Sequence, residues 1–64
     1  MIMTPYIKEH KKIAFALFNH VEKHPRMIEV SMIEWLRENS ELDITNATKL
    51  VQEMITDGAF HPAS

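Results

Sequence analysis

LDITNATKLVQEMITDGAF, residues 42–60, is the stretch whose reading decides the fold. With about 100° of rotation per residue, Ala47, Leu50, Val51, Met54 and Ile55 fall on one face of a helix. Asp43 stands just before that pattern, where its carboxylate can accept an orphan backbone amide and meet the positive end of the helix dipole. Gly58 follows the pattern, at the position where a left-handed residue ends a helix. Phe60 is then free to fold back on the apolar face. A helix over residues 44–57 is therefore predicted.

Working toward the N-terminus, Ser31-Met32-Ile33-Glu34 has the spacing of a capping box, with the serine hydroxyl on one free amide and Glu34 reaching back. Val30 before it and Trp35 within suit a hydrophobic staple. This predicts a second helix over 32–39, burying Met32, Ile33, Trp35 and Leu36. Residues 27–30 (Met-Ile-Glu-Val) read as a short extended stub, either strand or coil. Further back, Thr4-Pro5 is a helix start, since proline suits the first helical position. Pro25 disfavours helical geometry at His24, so the first helix is expected over 5–24. Its apolar face carries Tyr6, Ile7, Ile13, Ala14, Leu17, Phe18 and Val21, with Lys8, Lys11 and Lys12 opposite. The tail from His61 is expected to fray. The fold class is all-α: one compact three-helix domain spanning residues 1–64.

The order helix, stub, short helix, tight turn, longer helix and glycine resembles the winged-helix branch of helix-turn-helix proteins. Leu42, Asp43, Ala47, Val51, Met54 and Gly58-Ala59-Phe60 match that family's turn hydrophobe, cap, small buried residue, core pair and the glycine leading to the wing. Leu36 matches the buried leucine of its second helix. Glu41 stands where the family usually has glycine, and Ser40 where it has a later apolar residue. Four residues follow Phe60, so the resemblance is to a domain lacking its wing. It implies a DNA-reading face on the last helix made of Thr45, Asn46, Thr48, Lys49 and Gln52, with Asn46 and Gln52 able to read adenine edges.

Charge argues for a different partner. Residues 1–28 hold five basic and two acidic residues, leaving +3; residues 29–64 hold two basic and seven acidic, leaving −5; together they give the net −2 of the chain. Duplex binding rests mainly on neutralising phosphates with Lys and Arg, and only Lys49 is positive on the polar face of the last helix. Phe15, by contrast, falls on the polar side of the first helix, among Lys8, Lys11, Lys12, Asn19 and Glu22. An aromatic ringed by charge has the form of an interface anchor. The expected function is thus that of a small regulatory or adaptor protein binding another protein, or a second copy, through Phe15, Lys8, Lys11, Lys12 and Asn19. A DNA-binding regulator is the alternative.

Several classes are not expected. Cysteine is absent, which removes disulfides and thiolate ligands. The longest apolar run, residues 13–18, is far below the ~20 residues that span a bilayer, and residues 1–6 lack the basic and apolar regions of a signal peptide. A cytoplasmic location is the expectation. His20 and His24 are spaced i, i+4, a geometry that can share a metal, but no carboxylate completes a helical zinc motif. They read as edge histidines favoured near a helix C-terminus, with His10 one to two turns back. No nucleophile setting, phosphate loop or paired-carboxylate site is present, so no enzyme, cofactor or small-molecule substrate is expected. Five methionines fill the role of adaptable core packing.

Overall fold

A computed structural model describes residues 3–63. Met1 and Ile2, in the segment that lacks signal-peptide features, and Ser64, in the tail expected to fray, lie outside the described residues. The fold class is as expected: four helices and, among the described residues, no strand, in the order α1 (Pro5–Glu9), α2 (Lys11–Lys23), α3 (Glu29–Asn39) and α4 (Ile44–Thr56).

The first departure is a break in the predicted 5–24 helix. His10 leaves helical geometry, at φ −113° and ψ 30°. Its amide is shared between the carbonyls of Tyr6 at 3.2 Å and Ile7 at 3.0 Å, and its ring Nδ1 lies 3.0 Å from the same Tyr6 carbonyl. A carbonyl only accepts, so Nδ1 carries the proton. With the ring claiming that acceptor, the turn is tightened and the helix is interrupted. The two pieces then find different neighbours: α1 packs on α4, and α2 on α3. Thr4 caps α1 by accepting from the Ile7 amide at 3.2 Å, while its hydroxyl donates to the Glu53 carboxylate on α4. Pro5 holds the first helical position, as expected.

The second departure concerns α3, which starts nearly a turn early. Ile28 is the capping residue, in extended geometry, and the Met32 amide already bonds the Ile28 carbonyl at 3.2 Å. Ser31 is therefore inside the helix and the Ser31–Glu34 box does not form. Val30 is 58% exposed, so there is no staple with Trp35. The extended stub shortens accordingly, because Glu29 and Val30 are helical. Met27 is held instead by the C-terminal tail, whose Ala63 amide donates to the Met27 carbonyl at 2.9 Å. That bond also corrects the expectation of a frayed tail.

The α3–α4 turn is closed by side chains. Ser40 Oγ donates to the Leu36 carbonyl and accepts from the Leu42 amide at 3.2 Å; Asn39 Nδ2 donates to the Trp35 carbonyl at 2.8 Å. Ser40, where the family resemblance expects an apolar residue, satisfies the Leu36 carbonyl, one of those a helix end leaves free. Asp43 caps α4 by accepting from the Asn46 amide at 2.8 Å. At the other end Gly58 has φ +83°. The Gly58 amide bonds the Ile55 carbonyl at 3.0 Å and the Ala59 amide the Met54 carbonyl at 2.9 Å, the two bonds of a Schellman termination. The helix ends at Thr56 with Asp57 as its cap, one residue before the expected limit.

The core follows from these ends. Ile7, Ala14, Leu17 and Val21 meet Met32, Leu36, Ala47, Leu50, Val51 and Met54, and Phe60 folds back to 8% exposure. Tyr6, Ile13, Phe18, Ile33, Trp35, Leu42 and Ile55 pack around them, half-buried.

Candidate functional site: the Phe15 face and the α4 polar face

Two surfaces follow from this architecture. On α2, Ala14, Leu17 and Val21 point inward, which turns Lys11, Lys12, Phe15 and Asn19 outward; all four are exposed, as is Lys8 on α1. Phe15 is 44% exposed. Its neighbour one turn on, Phe18, is half-buried and lines a shallow depression of about 350 Å³ with Pro25, Phe60 and His61. Partial exposure of one apolar side chain is ordinary; here the exposed Lys11 and Lys12 stand one turn before it on the same helix, and Lys8 is exposed on α1 beyond the break at His10.

The polar face of α4 presents Thr45, Asn46, Lys49 and Gln52 to solvent and holds Thr48 half-buried. Two of its members are already engaged. Tyr6 on α1 donates to Asn46 Oδ1 at 2.9 Å, and Asn46 Nδ2 donates to Asp43 Oδ1 at 3.0 Å. Both ends of the amide that would read an adenine edge are thus occupied. The Lys49 ammonium sits 4.5 Å from the centre of the Tyr6 ring, a cation–π arrangement. Burial raises the Tyr6 hydroxyl pKa above its ordinary value, and the charges of Glu53, Asp43 and Glu9 push it further the same way. The three carboxylates near this face would oppose phosphate approach. Tyr6 as a clamp on α4 has no local sequence signal; its partners are 40 residues away.

Elsewhere, His20 stacks on Trp35 at 4.9 Å and 23°, and His24 lies 4.5 Å from His20 at 44°. Among the described residues no group of three or more His, Asp or Glu is arranged to hold a metal ion. His10 is separate from this pair, packed on Tyr6 at 4.4 Å. At the α3–α4 corner an open depression of about 590 Å³ is lined by Glu34, Arg37, Glu38, Glu41, Leu42 and Asp43, together with Ser40. Among the described residues no helix is long and apolar enough to cross a membrane.

Comparison of the chain with models of protein families, with curated proteins and with solved structures gave no match.

Proposed function

We propose that the chain is a small, non-catalytic regulatory or adaptor protein of the cytoplasm that works by binding protein, including a second copy of itself, through Phe15, Lys8, Lys11, Lys12 and Asn19. The observation that carries this reading is the 44% exposure of Phe15 among exposed lysines. A buried aromatic anchor with a charged rim is the recurring form of an interface hot spot. Cofactors, metals and small-molecule substrates have no part in it.

Kinship with winged-helix domains lacking a wing belongs to the same reading. It is supported by the helix order, by the Gly58 termination and by the Ala63–Met27 bond, which ties the tail to the segment between α2 and α3. DNA reading by Thr45, Asn46, Thr48, Lys49 and Gln52 is the weaker alternative, because Tyr6 occupies Asn46 and Lys49 and the surrounding carboxylates repel phosphate.

The test is an amide-resolved NMR titration with a mixed-sequence duplex at low salt, beside a dilution series without DNA. Concentration-dependent changes at residues 11–19, with none at 45–52 on adding duplex, are expected. Salt-sensitive duplex shifts confined to residues 45–52 would transfer the assignment to DNA. Phe15→Ala should keep the helical signal and shift the unfolding free energy by no more than ~0.5 kcal/mol, while abolishing the concentration dependence.

A further inference from the structure

We infer that the occupant of the Phe15 face is the acidic α3–α4 corner of a second copy, so that the protein associates head to tail. This deepens the reading above and rests on it. The Phe15 face carries Lys11 and Lys12 on α2, with Lys8 exposed on α1, against the exposed Glu22, a local charge of +2. The corner carries Glu34, Glu38, Glu41 and Asp43 against Arg37, a local charge of −3. No residue of α1 or α2 lines the corner, so one chain offers both surfaces without using either twice.

Electrostatics selects this pairing over a two-fold one. Placing two Phe15 faces together apposes two lysine clusters, and placing two corners together apposes eight carboxylates. Like-charge juxtaposition costs several kcal/mol at an interface, whereas opposite patches steer encounter and fix register. Shape agrees. The corner is an open depression of about 590 Å³ in which Leu42, half-buried, offers apolar surface between carboxylates, and Phe15 is the apolar projection among the lysines. A heterologous contact of this kind repeats, closing into a ring or extending as a chain.

The experiment uses two charge-reversed forms of the whole chain. One carries Lys11→Glu and Lys12→Glu; the other carries Glu38→Lys and Glu41→Lys. All four positions are exposed; Lys11→Glu and Lys12→Glu put acidic charge in the first turn of α2, Glu38→Lys puts basic charge in the last turn of α3, and Glu41 lies in the turn outside both helices, so both forms should fold. Sedimentation at low salt should show the parent growing beyond two chains with concentration, and growth weakening as salt rises. Each variant alone should lose association on the order of 100-fold. Mixed in equal amounts, they should associate again, because the mixture retains one unreversed pair of surfaces and the two reversed surfaces are again opposite in charge.

A parent that stays monomeric at high concentration overturns the inference, as does a mixture that stays monomeric. If the Lys variant loses association and the Glu variant keeps it, the occupant is wrong while the Phe15 face stands. If the Lys variant and Phe15→Ala both associate like the parent, the face itself is wrong, and the reading beneath falls with it.

Discussion

The Tyr6 hydroxyl donates to Asn46 Oδ1 across 40 positions of sequence, fastening the five-residue α1 onto the polar face of α4. The same ring lies under the Lys49 ammonium. One side chain therefore engages two residues, Asn46 and Lys49, of a surface that would otherwise be free to meet a ligand.

That position makes Tyr6 a direct probe. It is the only tyrosine, so tyrosinate absorbance follows it alone. Its titration midpoint should lie above the ordinary 10.0, with burial the larger cause and Glu53 next. Since the folded state holds its proton more tightly than the unfolded one, this group's contribution is intact below pH 10 and stability falls as pH rises from there through the folded value. Glu53→Gln should lower the midpoint; a midpoint at or below 10.0 would contradict the placement.

Asp43→Ala should cost about 1 kcal/mol in denaturant unfolding, the usual effect of losing a helix cap. It also releases the Asn46 side chain from one of its partners. An unchanged unfolding curve would mean that α4 starts elsewhere, such as Thr45.

Gly58→Ala isolates a backbone effect. A Cβ there meets nothing within 4 Å, yet φ is +83°. The cost should be about 1–2 kcal/mol, that of the left-handed conformation alone, and Gly58→Asn should recover part of it. A much larger loss in thermal unfolding would require a steric clash that the geometry does not contain.

Two serines separate local signal from tertiary outcome. Ser31→Ala should leave stability unchanged or slightly higher, since Ser31 sits within α3 and alanine is the better helix former. Ser40→Ala should cost about 1 kcal/mol through the bonds to Leu36 and Leu42. The reverse order in denaturant midpoints would restore the capping box and move the start of α3 to Met32.

The contrast shows where the sequence is legible. Helix α4 could be read end to end because Asp43 and Gly58 act through bonds to residues no more than a turn away. The inward faces of α2 and α3 followed from periodicity, and rotation alone put Phe15 outside. The start of α3 misled because Ser31 and Glu34 match a local motif, while Met27, held by Ala63 from the far end of the chain, sets where the extended segment stops. The His10 break was hidden for a similar reason: a histidine mid-helix is unremarkable until its ring takes a carbonyl. The Tyr6 clamp was invisible because its partners are distant in sequence.

The interruption at His10 also gives the molecule a separable part. A helix of five residues is below the length that persists unaided in water. Pro5–Glu9 therefore survives only as long as Ile7, Tyr6 and Thr4 stay seated on α4. Hydrogen exchange should find its amides opening by a local excursion that leaves the other three helices standing, at a free energy below that of global unfolding. Each such excursion releases Asn46 and Lys49 from Tyr6 together, so the α4 face alternates between an engaged majority form and a released minority one.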